Sequence, residues 1–274
     1  MKERDTGMDI LRVYLAFLVV LVHGWKEYTY PYEPGLFFPW SFFNRSGTVA
    51  VHVFIFLAFL YTDIEELGHS RLLFEKRMCR LLVPHIAWTF IYLVIYKVAG
   101  LIWDKDFKII IRSVMIQLFL GHGYNEVMWF QVVLILLTIF FVALFKFMEE
   151  WKQDVTLICI FGFCIIGQYS GINEKIFGHM IPEVFLSFGR ISEVAPTAVA
   201  AVFFQKYNAR LMIKKHWQMI LTGSLLGLFI IYNYPVFRNI DGYAYSGFWR
   251  FSAAVLTVLI AESCSIVFRG GRDR

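Results

Sequence analysis

The chain has 274 residues, of which 58% are hydrophobic and 19% aromatic, while 17% are charged and the formal net charge is +5. Soluble domains normally carry about 25% charged residues, and here the apolar residues come in long blocks. These values exclude an ordinary soluble domain and predict an all-α polytopic transmembrane helix bundle, one domain over residues 1–274. We interpret the positive charge as a topology signal and predict no nucleic-acid partner.

Eight apolar blocks are long enough, or nearly so, to cross about 30 Å of hydrocarbon. In chain order these predicted spans are 8–25, 47–63, 82–102, 128–147, 154–171, 183–205, 217–234 and 247–268. A ninth apolar stretch, 107–121, contains Lys108 and Arg112. We expect it to lie along the membrane interface as an amphipathic helix or to enter the membrane partway.

The distribution of basic residues predicts how the spans are oriented. With the amino terminus inside the cell, the cytoplasmic segments hold 15 Lys and Arg residues and the outside segments hold 8. This bias favours both termini in the cytoplasm. The first span is followed by the bulky and charged WKEYTY, so we expect it to remain as a span rather than to be cleaved as a signal.

The first span, DILRVYLAFLVVLVHGW (9–25), contains Arg12 and His23. Eleven helical residues turn through about 1100°, three turns plus about 20°, so both lie on one helix face, about 16 Å apart along the axis. A charge in mid-bilayer costs at least ~2.5–3.5 kcal/mol and usually faces protein or a water-filled cavity. One interpretation is an anion site towards the cytoplasm and a base towards the outside. The other is that Arg12 snorkels to the inner headgroups and His23 is an interfacial residue.

Two arginines, Arg77 and Arg80, precede the third predicted span. Their i, i+3 spacing places both guanidinium groups on one helix face. They are either ordinary topology determinants at an inner helix end or a pair that holds the phosphates of an anionic donor.

Further polar and aromatic residues lie within or beside later spans. Arg190 and Glu193 are spaced i, i+3, so they form a structural intrahelical pair or line a substrate path. Trp129 and Phe130 begin a helix on the outer side. They either belong to an aromatic belt at the membrane interface or stack against a bound substrate.

For four further polar residues in or beside the spans, the sequence indicates a role less clearly. Arg250 and Glu262 need partners that the sequence does not name. We expect His52 to be buried and hydrogen-bonded, and His85 to cap or flank the third span.

The four cysteines show no metal-binding spacing, and no two of them share an outside loop. We therefore predict neither a metal site nor a disulfide framework.

Three motifs, in this order, resemble the membrane acyltransferase-3 family, the bacterial integral-membrane acyltransferases that modify surface glycans. The stretch DILRVYLAFLVVLVHG (9–24) is similar to the family opening, in which ten residues separate an Arg from a His. FEKRMCRLLVPHIAW (74–88) is similar to the cytoplasmic RxxR segment, and EVMWFQVVLIL (126–136) resembles the Leu-Trp-Phe helix opening, with Met128 in the Leu position. The resemblance runs over residues 8–205.

The resemblance has two departures. The second span reads HVFIFLAFLYT (52–62), with Ala58 near the position of a family Gly. The family core also ends in a further helix pair, whereas this chain ends in RGGRDR after the eighth predicted span. We therefore expect a short or truncated member that lacks the last pair.

The resemblance implies an enzyme of the bacterial inner membrane with acetyl-CoA or another acyl-CoA as co-substrate and no metal. The acceptor would be a surface polysaccharide or a lipid-linked glycan precursor, reached among membrane lipids. His23 would take the hydroxyl proton, Arg77 and Arg80 would hold the donor phosphates, and Arg12 would orient the donor or stabilise developing charge. One alternative is a non-catalytic transporter or export partner for a glycan or a small polar substrate, and another is an inactive remnant that only folds in the membrane. The absence of visible pseudo-symmetry between two halves favours the enzyme.

Overall fold

A computed structural model describes residues 6–25, 38–98, 107–121, 128–170, 182–233 and 243–270. All regular structure in these ranges is α-helical apart from one short 3₁₀ turn at Met128, and no strand occurs among them. The helices are α1 (Thr6–Trp25), α2 (Phe38–Leu60), α3 (Ile64–His69), α4 (Arg71–Val98), α5 (Phe107–Leu120), α6 (Trp129–Phe147), α7 (Glu150–Ser170), α8 (Pro182–Lys206), α9 (Ala209–Asn233) and α10 (Tyr243–Gly270). The all-α prediction is confirmed.

Each of the eight predicted spans coincides with a helix, and α5 coincides with the ninth apolar stretch. Within the described ranges, two segments are long and apolar enough to cross a membrane, Arg71–Ile95 in α4 and Trp129–Phe147, which is all of α6. Only 11% of the apolar window in α4 is buried inside the protein. Such a large uncovered apolar surface is typical of a membrane-facing helix and rare on water-soluble monomers. Eight crossings remain a prediction.

The helix that contains the third predicted span begins earlier than predicted. Helix α4 starts at Arg71, so the RxxR segment lies within the helix, and Pro84 is in the helix interior rather than in the first turn. The start is fixed by Ser70, whose side-chain Oγ accepts a hydrogen bond from the Leu73 amide at 3.4 Å. A serine in this position caps the orphan amides of a helix start. Arg and Lys are also good helix formers, so the basic segment belongs to the helix instead of preceding it.

The short helix α3 was not predicted. Its first amides are capped by Asp63, whose carboxylate accepts from the Glu66 amide at 2.9 Å. The sequence DIEE (63–66) carries the Asp-x-x-Glu pattern of a helix start, so a local signal was present.

The helices form two compact units, residues 1–61 with 197–274 (unit 1) and residues 62–196 (unit 2). Helix α8 contributes residues to both units. The prediction of one domain over residues 1–274 stays a prediction.

In unit 1, α10 packs against α1, α2 and α9, and α1 packs against α2. Small residues such as Ala253 and Ala254 are fully buried in this core and allow helices to approach closely. Phe56 of α2 meets Phe204 of α8 edge to face, with ring centroids 5.3 Å apart. Helix α9 departs from helical geometry at His216 (φ −122°, ψ 27°), which separates its basic first turns from the predicted span 217–234.

In unit 2, α6 is the central helix and packs against α3, α4, α5 and α7. Its buried side chains include Val133, Leu137 and Phe141. A close approach to α3 occurs at Gly68, where an added Cβ would lie 3.6 Å from the Val142 carbonyl oxygen.

Candidate functional site

A polar cluster in unit 1 joins side chains from three helices and the turn after α2. Arg210 donates from Nε to Glu262 Oε1 at 2.9 Å and also from Nη2 to the same oxygen. Arg210 Nη2 donates to the Tyr61 hydroxyl at 2.5 Å. The Tyr61 hydroxyl in turn donates to Glu262 Oε1 at 3.4 Å. Together with Arg12, described next, these residues are called the Tyr61 cluster.

Arg12 joins the cluster through the aromatic ring of Tyr61. The Arg12 Cζ atom lies 5.1 Å from the ring centroid, and the Arg210 Cζ atom lies 4.5 Å from the same centroid. The two guanidinium groups are therefore within about 10 Å of each other. Arg12 Nη1 also donates to Asp9 Oδ1 at 2.8 Å. Both guanidinium groups therefore lie over the Tyr61 ring, within the range of cation–π attraction.

The local backbone explains how these side chains meet. Tyr61 follows α2 directly, and its amide still donates to the Leu57 carbonyl at 3.2 Å. Arg210 is the second residue of α9, after a turn in which Asn208 has φ +49°. Asparagine is one of the few residues that adopt this left-handed conformation readily. Glu262 projects from α10 into the interior, with its side chain 8% exposed.

The charge on Arg210 is secured by its partners. Burial alone lowers the pKa of Arg210, but its hydrogen bond with Glu262, the charge of Glu262 and its interactions with Tyr61 outweigh that effect. The resulting pKa is raised above the ordinary value, so the guanidinium carries its charge at every physiological pH.

The cluster fixes which helix ends share one side of unit 1. Arg12 lies near the start of α1, Tyr61 directly after the end of α2, Arg210 near the start of α9, and Glu262 towards the end of α10. These four ends therefore lie together. The predicted topology assigns these four ends to the cytoplasmic side, and that assignment stays a prediction.

Sequence reasoning left Glu262 without a partner and did not single out Tyr61 or Arg210 as site residues. The signal that was available is a carboxylate in an apolar span, which requires a cation or hydrogen-bond donor nearby. The partner is 52 residues earlier in the chain, and no local spacing rule reaches that far.

His23 lies on the same helix as Arg12, since α1 is continuous from Thr6 to Trp25. Its side chain is outside the described residues. The helical backbone preserves the predicted axial separation of about 16 Å between the two positions. The catalytic role of His23 stays a prediction.

Arg77 and Arg80, in unit 2, differ in their surroundings. Arg77 is half-buried and donates from Nη1 to Thr62 Oγ1 at 2.5 Å, whereas Arg80 is exposed. One guanidinium is therefore engaged with the protein and the other is directed to the surface. Their proposed shared role in donor binding stays a prediction.

Arg190 and Glu193 pair with each other along α8, with Nη1 and Oε2 3.2 Å apart. The Arg190 Cζ atom also lies 4.9 Å from the centroid of the Trp129 ring. Trp129 is thus covered by a cation from α8, and Phe130 beside it is half-buried. The sequence did not predict this contact between Arg190 and Trp129.

Two buried histidines hold helices together. His52 Nδ1 lies 3.1 Å from Thr197 Oγ1, and the residue is 1% exposed. His85 Nε2 lies 3.0 Å from the Leu118 carbonyl oxygen, and its Nδ1 lies 3.3 Å from Gln131 Oε1. His85 thus links α4 to α5 and α6 rather than capping a helix end, because α4 already begins at Arg71.

Across the described part of the chain, no group of three or more His, Cys, Asp or Glu side chains is placed to hold a metal ion.

The chain matches the family model described as "Acyltransferase domain", of the acyltransferase-3 type, over residues 5–273. No curated protein and no solved structure matches it significantly. The match extends well beyond residues 8–205, over which the three motifs were recognised, and includes Arg210 and Glu262. This family is membrane-associated, and two helices in the described part of this chain are long and apolar enough to cross a membrane. The chain therefore belongs to the acyltransferase-3 family.

Proposed function

We propose that the protein transfers an acyl group, most simply acetyl, from acyl-CoA to a hydroxyl of a surface polysaccharide or lipid-linked glycan precursor. The observation that carries the proposal is the family match over residues 5–273. The protein would cross the bacterial inner membrane several times, with both termini in the cytoplasm, in accordance with the bias of basic residues.

In the proposed reaction, His23 accepts the proton of the acceptor hydroxyl as its oxygen attacks the thioester carbonyl carbon. The new C–O bond forms, the C–S bond breaks, and the proton passes to the leaving thiolate of coenzyme A. Imidazole suits this role because its unperturbed pKa is about 6.5. Arg12 would orient the donor or stabilise the charge that develops during the reaction. Arg77 and Arg80 are further candidates for holding the phosphates of the donor.

The arrangement accounts for a membrane location, since acyl-CoA is made in the cytoplasm and surface glycans are outside. Arg12 and His23 are separated by about 16 Å of continuous helix, roughly half the hydrocarbon thickness of a bilayer. A donor held near Arg12 and an acceptor near His23 would therefore approach from opposite faces.

The test is to express the parent chain and His23→Ala in a bacterial host that lacks surface-glycan acetylation, and to measure O-acetyl groups on the glycan by mass spectrometry. We expect acetylation by the parent and none by His23→Ala at equal membrane abundance. The exposed His69 provides a matched control, and His69→Ala should retain activity.

Acetylation by both His23→Ala and the parent would keep the enzyme and remove His23 from catalysis. No acetylation by the parent across a panel of acceptors, with uptake or export of a glycan instead, would favour the transporter.

A further inference from the structure

We propose that Arg12 and Arg210, both held against the ring of Tyr61, bind the phosphate groups of the acyl donor. The proposal rests on the proposed function, because it concerns the same acyl-CoA donor. It moves the main phosphate contacts from the Arg77–Arg80 pair to the Tyr61 cluster, and it includes a residue, Arg210, that the sequence motifs did not indicate.

The first argument is that, among the described residues, each guanidinium group has N–H donors without an acceptor. Arg210 uses Nε and Nη2 for Glu262 and Tyr61, and within the described ranges its Nη1 has no acceptor. Arg12 uses Nη1 for Asp9, and its Nε and Nη2 have none among the same residues. The Arg210 and Arg12 side chains are 42% and 40% exposed. Each is therefore fixed by the protein on one edge and accessible on another.

The second argument is that Glu262 orients Arg210 without covering it. All of the contacts that Glu262 makes with Arg210 and Tyr61 use a single carboxylate oxygen, Oε1. An arginine that is already held in place loses less conformational freedom when it binds a second anion, and its planar fork matches phosphate oxygens.

The third argument is the charge balance of unit 1. Among its described side chains the carboxylates are Asp9 and Glu262 only. The cations are Arg12, Lys206, Arg210, Lys214, Lys215 and Arg250. Four of these six cations lie between residues 206 and 215, around the start of α9. The excess of positive charge attracts a multiply charged anion to this end of the unit.

The geometry favours a ligand with adjacent phosphates. The two Cζ atoms are within about 10 Å of each other around one ring, so one diphosphate can reach both guanidinium groups. A coenzyme A thioester carries a diphosphate between its nucleoside and its pantetheine arm. The headgroup phosphate of an anionic lipid has related chemistry, and the experiment separates the two sources.

The experiment measures binding of coenzyme A to the purified full chain in phosphatidylcholine nanodiscs by titration calorimetry. We expect Arg210→Ala to weaken binding by about 10- to 100-fold, the loss of a hydrogen bond to a charged group. Dephospho-coenzyme A retains the diphosphate and should show the same loss. Pantetheine lacks the diphosphate, so its binding should be equal in the parent and in Arg210→Ala.

Two further variants guard against misfolding and charge effects. The double variant Arg210→Ala, Glu262→Gln removes both charges, so no buried carboxylate is left without its arginine. This double variant should bind coenzyme A as weakly as Arg210→Ala alone. Arg71→Ala removes an exposed, ion-paired arginine of unit 2 and should bind coenzyme A like the parent.

Coenzyme A binding by the parent that is unchanged in folded Arg210→Ala would overturn the inference and leave the proposed function intact. No binding of coenzyme A by the parent would instead count against the proposed function. A loss of affinity for phosphatidylglycerol, with none for coenzyme A, would assign the phosphate site to lipid and also overturn the inference.

Discussion

At the scale of single residues, Glu262 shows what a carboxylate in an apolar helix requires. Its side chain is 8% exposed and its partner Arg210 is 42% exposed. A carboxylate buried this deeply is unfavourable unless a charged, hydrogen-bonded partner is present. Arg210 and Tyr61 together supply that partner.

Replacement of Glu262 by Gln should destabilise the protein by about 1–3 kcal/mol, less than a fully buried pair because Arg210 remains in contact with water. Thermal unfolding in detergent would measure this, and a double-mutant cycle with Arg210→Ala would show strong coupling between the two sites. The control is Glu75→Gln, since Glu75 pairs with Arg71 on the surface, where the side chains are 52% and 91% exposed. That control should change stability by less than about 0.5 kcal/mol. Equal effects of the two substitutions would show that the buried pair has no special role.

The sequence identified some of these residues and missed others for a physical reason. Arg12 is conspicuous because a cation within an apolar run is costly, and the motif around it also identifies His23. Arg210 lies in a basic segment of ordinary appearance, and Tyr61 is one of 14 tyrosines. Their importance arises from contacts that span 52 and 201 residues, and a single sequence holds no direct record of such contacts.

At the scale of helices, apolar block length predicted the elements well, whereas the boundaries depended on polar caps. Ser70 and Asp63 start α4 and α3 through their side-chain oxygens. The basic residues between Ser70 and Pro84 are helical. They are polar, however, so hydropathy alone placed the start of α4 after them. Pro84 removes one helical hydrogen bond within α4, but the helix continues through it.

Two glycines one turn apart on α9 offer a matched test of helix packing. An added Cβ at Gly227 would lie 3.0 Å from Leu256 Cδ1, whereas one at Gly223 would meet no atom of the described residues within 4 Å. Gly223→Ala should therefore raise stability by up to about 1 kcal/mol through better helix propensity. Gly227→Val should lower it by about 1–3 kcal/mol, because Leu256 on α10 must move.

Thermal unfolding of both variants in the same detergent checks these signs. Stabilisation by Gly227→Val would mean that α9 and α10 are not in close contact at this position.

At the scale of the whole molecule, the predicted orientation can be tested by labelling. The Tyr61 cluster brings the starts of α1 and α9 to the same side of unit 1 as the ends of α2 and α10. If the start of α9 is cytoplasmic, as the positive-inside bias predicts, the beginning of α1 and the end of α10 are cytoplasmic as well.

In a cysteine-free background, Lys214→Cys should resist a membrane-impermeant maleimide in intact cells and react after permeabilisation. Asn173→Cys, in the connection between α7 and α8, should react in intact cells. The reverse pattern would invert the topology and would place the proposed phosphate site on the wrong side for a cytoplasmic donor.

The Tyr61 cluster also has a consequence for biogenesis. Ribosomes deliver Tyr61 and Arg210 to the membrane well before Glu262, which follows them by 201 and 52 residues. Residues 62–196 form one uninterrupted stretch of chain, whereas unit 1 is assembled from both ends of the sequence. The hydrogen bonds to Glu262 cannot close until α10 has been translated and inserted. Unit 1 therefore completes this polar network only once α10 is in place, so the network depends on the insertion of a helix whose Glu262 follows Tyr61 by 201 residues.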